Sequence, residues 1–263
     1  MHPDDDPAGP RMSLDAAFAS PDAKRRYNRR LFHVIADRYD LITRVLSYGL
    51  DRRWKQRVVA LAAVAPGDRA VDLACGTGDL AGLLADGGAR VVGVDLTPRM
   101  LRLARRRDPR GRLRLVAGDM AALPLPAQCA DVVTAGYGLR NVAGLDTALR
   151  EILRILRPGG RFVALDFDRP RNAALRGAYL GYLTVVGSTL GLALHGDPDT
   201  YRYIPASLRR YPGAEAVASR LRDIGFADAA RIPLLGGLMA ITTARKAPAP
   251  APAESRYAGA DGA

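Results

Sequence analysis

The sequence predicts an α/β fold, a mostly parallel sheet with helices on both faces, and three features carry that reading. Short apolar runs alternate with amphipathic stretches through the middle of the chain. The first such run closes in a glycine turn, Cys75-Gly76-Thr77-Gly78. Acids then stand at or just beyond the ends of the next two runs, at Asp95 and Asp119. Strand–helix alternation of this kind gives parallel strands joined by crossover helices. Ligands on such sheets bind at the carboxyl ends of the strands.

Two amphipathic stretches open the domain, near 27–47 and 51–63. Ala70-Val71-Asp72-Leu73-Ala74 reads as the first strand, with a helix after the glycine turn as far as Asp86. Residues 90–95 read as the second strand, and Pro98 suits the first turn of a helix running to Arg107. Residues 113–117, 131–135 and 161–166 are further strands. A helix over 145–156 separates the last two and is ended by Pro158-Gly159-Gly160. Residues 227–244 complete the sheet. This order collects the glycine turn, Asp95, Asp119 and residues 136–141 on one rim.

Residues 177–194 break the pattern, with no charged side chain over 18 positions. That length approaches a bilayer span. The segment also carries four glycines, and the chain must afterwards return to the sheet. A buried helical insert or an apolar lid is therefore expected, rather than a spanning helix.

The chain has 263 residues, 48% of them hydrophobic, which excludes a disordered or fibrous protein and suits one large domain. Acidic, proline-bearing residues 1–22 and the Pro/Ala-rich tail 247–263 are expected to be disordered. That leaves a working domain over 23–246, with a helical insert at about 171–210. The net charge is +12. Residues 1–22 carry −4 and 247–263 carry −1, leaving +17 on the domain. So basic a body favours anionic surfaces, either phospholipid or nucleic acid. Lysine occurs only at 24, 55 and 246, so arginine supplies the charge. Two cysteines, Cys75 and Cys129, are too few for a disulfide framework or a cysteine-rich metal centre, and no metal is expected. The N-terminal stretch lacks the apolar run of a secretory signal, so a cytoplasmic location is expected.

The glycine turn is the sharpest local signal. Gly76 and Gly78 allow the backbone to approach a ligand, and the following helix directs free N–H groups at it. Asp95 suits the two hydroxyls of a ribose. The spacing also satisfies a dinucleotide fingerprint. Against a pyrophosphate, Asp72 and Asp79 put negative charge where phosphates would sit, and Asp119 suits an adenine amino group. S-adenosylmethionine, with an adenosine, no phosphate and a positive sulfonium, fits an acidic loop better. Asp72 would support the loop and Asp79 face the ammonium end.

Several strings resemble the ubiquinone/menaquinone biosynthesis C-methyltransferase family, over about 32–246. They are Tyr39-Asp40-Leu41, Gly49-Leu50-Asp51-Arg52-Arg53-Trp54-Lys55, residues 72–80, Tyr137-Gly138-Leu139-Arg140-Asn141-Val142 and Tyr201-Arg202-Tyr203-Ile204-Pro205. The resemblance implies a Rossmann-like class I methyltransferase with a seven-stranded sheet and a helical substrate insert. It implies transfer of a methyl group from S-adenosyl-L-methionine to a ring carbon of a prenylated quinol. Cofactor contacts carry over to Thr77, Asp95, Asp119 and Met120, with Gly136 standing where the family often has Ser and Tyr137 where it usually has Phe. Asp166-Phe167-Asp168-Arg169-Pro170 departs from the usual Glu-Phe-Ser-Lys-Pro.

For this chemistry Arg140 suits a developing phenolate, and Asn141 suits orienting the hydroxyl that loses its proton. Both also have ordinary structural readings, an ion pair for Arg140 and a helix cap for Asn141. Tyr137, Tyr201 and Tyr203 are candidates to line the quinol pocket. His195 is the alternative general base. The uncharged segment and the opening helices would form a channel for the prenyl chain. The basic body would rest peripherally on the inner face of an anionic membrane, and the opening helices offer a surface for a homodimer. Nucleic acid is not expected as a partner. A methyltransferase acting on another phenolic or secondary-metabolite acceptor is the competing reading.

Overall fold

The computed structural model describes residues 13–249. Its strands are β1 Arg69–Leu73, β2 Arg90–Asp95, β3 Leu113–Ala117, β4 Ala130–Gly136, β5 Leu156–Phe167, β6 Phe226–Leu234 and β7 Met239–Lys246. They form one sheet in the order β3-β2-β1-β4-β5-β7-β6, in which only the pairings of β7 are antiparallel. The central strands are buried on both faces and read as continuous apolar runs. In register, Val71 lies between Val92 and Val133. The strand order reverses between β1 and β4, so their carboxyl ends open the crevice in which a ligand can sit.

The helices are α1 Leu14–Ala17, α2 Pro21–Ile35, α3 Tyr39–Leu46, α4 Asp51–Ala62, α5 Asp79–Asp86, α6 Pro98–Arg107, α7 Leu145–Ile155, α8 Ala173–His195, α9 Tyr203–Arg210 and α10 Ala214–Asp223. The stretch near 27–47 is thus two helices, α2 and α3, joined by a 3₁₀ turn at Ala36–Arg38. Pro98 stands at the start of α6, as its fixed φ favours.

Three expectations are corrected. The ordered body does not begin at residue 23. Ser13 caps α1, Ser20 Oγ accepts the Ala23 N–H at 3.1 Å to start α2, and the Phe18 ring stacks on Tyr203 at 5.6 Å. Residues 1–12, and 250–263 of the tail, lie outside the described residues. Next, Pro158-Gly159-Gly160 does not simply separate helix from strand. Those residues lie within β5, with Gly159 at φ +77°, where the register against β4 shifts. They therefore form a bulge.

The third concerns residues 177–194, which form most of a single 23-residue helix, α8, that is not buried. Tyr179, Leu183, Gly187 and Gly191 recur every four residues and mark the middle of its inward face, flanked by partly buried Leu180, Tyr182, Val186, Leu190 and Leu194. Gly187 packs on Tyr201, and Gly191 on the backbone of Asp197 and Pro198. Only 22% of the helix's apolar 18-residue window is buried, because no other element among the described residues covers its outer side.

Candidate active site

The carboxyl ends of β1, β2, β3 and β4 open into a cleft of about 750 Å³. Of the residues singled out in the sequence, Gly76, Asp95, Asp119, Met120, Gly136, Tyr137 and Asn141 line it. Asp72, Thr77 and Gly78 do not. Asp72 lies under the loop, where its Oδ1 accepts the Thr134 hydroxyl at 2.7 Å. Burial pushes its carboxyl up to about 7. Thr77 is turned away, donating its hydroxyl to Asp40 at 2.9 Å. Gly78 begins α5 at φ +87°, and a Cβ there would lie 3.2 Å from Ala104 Cβ. That close packing sets the loop against α6.

Asp95 is buried at the end of β2. Its Oδ2 accepts the Gly76 N–H and its Oδ1 the Thr97 N–H, both at 2.8 Å. Burial raises its pKa, and the two N–H groups oppose that rise. A carboxylate has about four acceptor positions, so both oxygens keep capacity for a diol. Asp119 accepts the Ala121 N–H at 2.8 Å on one oxygen and Arg25 Nε at 2.5 Å on the other. Asp79 does not face the cleft, being drawn to Lys55 Nζ at 3.1 Å and Arg107 at 3.2 Å. The lining suits S-adenosylmethionine. It offers an acid for a ribose, a second acid for an adenine, apolar walls from Met100 and Met120, and no cluster of cations for phosphates.

A second cavity adjoins the first. Its walls are apolar, with Leu31, Ile35, Ile42, Leu46, Phe167 and Ile204, and its polar lining includes Arg140, Asn141, Tyr201 and Tyr203. Phe32, Tyr39, Tyr137 and Asn141 line both cavities. No residue of α8 lines the second one, because α2, α3 and residues 200–204 enclose it. That corrects the channel expected from 177–194.

Tyr137 sits at the seam with φ +60°, a strained conformation for a bulky residue. Its hydroxyl donates to Asp51 Oδ1 at 2.8 Å. Burial and the neighbouring Asp51 hold its pKa well above the usual range, so it stays neutral. Asn141 does not cap a helix. Its Nδ2 donates to the Tyr137 carbonyl at 2.9 Å, and its buried Oδ1 has no partner. Arg140 is buried, with Nε 3.5 Å from Asp166 Oδ1, a hydrogen bond to Ser207, and its guanidinium 5.1 Å from the centre of the Phe167 ring. It is thus both an ion-paired residue and part of the cavity wall. His195 lies away from this seam, 2.8 Å from the Tyr201 hydroxyl. Burial and Arg38 lower its pKa. It faces a separate groove beside α2.

Sequence reasoning missed the grip of α2 on this loop. Lys24 Nζ donates to the carbonyls of Arg140 at 3.2 Å and Val142 at 2.7 Å, and Asn28 Nδ2 to that of Asn141 at 2.5 Å. Three consecutive carbonyls are thus held from one helix. The Gly49–Lys55 string had no assigned role. In the structure Asp51 and Lys55 pair at 2.8 Å, connecting Tyr137 to Asp79.

Comparison with known proteins agrees with this architecture. The chain is 43% identical over 200 residues to a demethylmenaquinone methyltransferase of Thermus thermophilus, covering 74% of this chain and 91% of that one. It is 37% identical over 226 residues to the ubiquinone/menaquinone biosynthesis C-methyltransferase UbiE of Azotobacter vinelandii, covering 83% and 89%. Among solved structures, an S-adenosylmethionine-dependent methyltransferase of Thermotoga maritima, titled a possible histamine N-methyltransferase, superposes with a TM-score of 0.57 at 20% identity. The match covers 82% of this chain and 99% of that one and shows the shared fold. A family model described as the ubiE/COQ5 methyltransferase family matches residues 21–246. With this sheet order, cleft and loop, the chain belongs to the ubiE/COQ5 family of S-adenosylmethionine-dependent methyltransferases.

Proposed function

We propose that the acceptor is a reduced, prenylated quinol of the demethylmenaquinol or ubiquinol-precursor type, methylated on a ring carbon. One observation carries this reading. An apolar cavity opens onto the cofactor cleft through four shared residues, and an unpartnered Asn141 Oδ1 stands at the seam. A buried amide oxygen without a partner is costly unless a ligand donor supplies one, and a ring hydroxyl is such a donor.

S-adenosylmethionine supplies an electrophilic methyl group when bound. Alignment is then the chief task of the protein. Tyr137 and Phe32 hold the ring plane between the two cavities. Asn141 accepts the hydrogen bond of the ring hydroxyl and orients it for loss of its proton to water. The Arg140 guanidinium, fixed by Asp166 and Ser207, places positive charge beside the oxygen as it becomes phenolate. Leu31, Ile35, Ile42 and Leu46 receive the first units of the prenyl chain. Leu31 and Thr200 also line the groove beside Val34 and Leu14, which gives the chain a way out.

The same reading makes the protein peripheral on the cytoplasmic face of an anionic membrane, where such a substrate resides. The +17 domain supports this. It leaves room for a homodimer through opening-helix surfaces that do not meet the membrane. The test offers a panel of reduced demethylmenaquinols, ubiquinol precursors and unprenylated phenols with labelled cofactor. Carbon methylation of a prenylated quinol is expected. Turnover confined to unprenylated phenols would move the function to another phenolic acceptor.

A further inference from the structure

Helix α3 is apolar on both sides. Ile42, Thr43 and Leu46 line the second cavity, while Leu41 and Val45 point outward at 45% and 38% exposure. Tyr48, just beyond its end, is 44% exposed and stacks on Tyr182 of α8 at 5.5 Å. At the other end of α3, Arg38 acts electrostatically on His195, the last residue of α8. The Tyr48–Tyr182 ring pair thus joins the end of α3 to α8. The outer side of α8 carries Leu175, Val185 at 65% and Leu192 at 61% exposure. A helix that is apolar all round needs an apolar environment on each side, and the described residues cover only one.

We propose that the outer faces of α3 and α8 together form the surface that docks on anionic phospholipid, with the two helices lying in the plane of the interface. The proposal rests on the quinol reading above. Charge selects lipid over a second copy of the chain. No acid occurs on α8, and exposed Arg38, Arg44, Arg52 and Arg53 stand on or beside α3, with Arg171 and Arg176 at the start of α8, while the acids there, Asp37 and Asp40, are paired with Arg99 and Arg107. Two copies meeting face to face would bring these arginines together, whereas anionic headgroups neutralise them. The inward seam of Tyr179, Leu183, Gly187 and Gly191 is taken up by the protein, so α8 lies on the bilayer rather than across it. With its inner side on the quinol cavity and its outer side on lipid, α3 is one wall between substrate reservoir and site.

The experiment uses the full chain with vesicles of phosphatidylcholine alone and with phosphatidylglycerol added, read by co-sedimentation. The variants are Val185→Asp with Leu192→Asp on α8, and Val45→Asp on α3. All three positions are exposed and none lines either cavity. Binding of the unaltered chain to anionic vesicles is expected, weakened about ten-fold or more by either variant. Methylation of a short-tailed, water-soluble quinol should stay unchanged. Failure of the unaltered chain to sediment, or variants that bind as it does, would overturn the proposal. So would a dimer in lipid-free solution that the substitutions dissociate, since a second copy would then cover this face. Absence of methylation of the short-tailed quinol by the unaltered chain would instead count against the quinol reading.

Discussion

At the scale of single residues, the three lysines illustrate what side-chain chemistry decides. In a chain whose cations are nearly all arginine, each lysine ammonium converges on two acceptors. Lys24 holds the carbonyls of Arg140 and Val142, Lys55 the carboxylates of Asp51 and Asp79, and Lys246 the carbonyls of Leu153 and Leu156. A compact ammonium fits such points, where a planar guanidinium fork does not. The rarity of lysine was visible in the sequence, and its meaning was not, because every partner but Asp51 is distant and on another element. Asp95 was legible from its place at a strand end. Replacing Asp95 with Ala should weaken cofactor binding about 10–100-fold by calorimetry, the worth of hydrogen bonds to a charged group. Arg140→Ala should lower turnover and also destabilise the fold by about 3 kcal/mol, because it leaves Asp166 buried and unpaired. Adding Asp166→Asn should restore much of the melting temperature without restoring turnover.

Asp72 adds a pH dependence. Its carboxyl titrates near pH 7 in the folded chain and near 3.8 when unfolded. Between those values the folded state holds the extra proton, so this group's stabilising share is full below about pH 4 and is lost as pH rises through 7. Asp72→Asn should flatten the decline of melting temperature over that window. An unchanged decline would assign it to other acids.

At the scale of elements, strand positions followed from apolar runs and from the glycine turn, while helix environments did not. The length of α8 was readable in its uncharged run. Its exposure was not, since periodic burial depends on which neighbours the fold supplies. The inward glycines show the constraint. A Cβ at Gly191 would collide with the Asp197 carbonyl, and one at Gly187 would lie 3.3 Å from Tyr201. Gly191→Ala should therefore cost about 1–3 kcal/mol of stability. By shifting the turn before Tyr201, it should raise the quinol KM more than it changes kcat. Helix α2 presents the converse case, with its amphipathic pattern visible and its grip on residues 140–142 hidden. Lys24→Met combined with Asn28→Ala should increase hydrogen exchange across 21–35 about ten-fold or more, leaving the sheet protected. Equal exchange in both proteins would show that α2 is held by its apolar face alone.

At the scale of the whole molecule, the strand order places a cofactor cleft at the point where the sheet reverses, and the opening helices roof an apolar cavity beside it. Alternation of strand and helix patterns was sufficient to anticipate the sheet and its working rim. The second cavity was not legible, because it is enclosed by α2, α3 and residues 200–204, which are separated by more than 150 positions. The central claim is that these two spaces meet at Tyr137 and Asn141 to join a sulfonium methyl to a quinol ring carbon. The most direct test supplies cofactor with a ¹³C-labelled methyl group and a reduced demethylnaphthoquinol bearing its prenyl tail, and locates the label by NMR. A new methyl signal bonded to the ring carbon beside a hydroxyl is predicted. A label found on oxygen, or cofactor bound with no label transferred, would contradict the account.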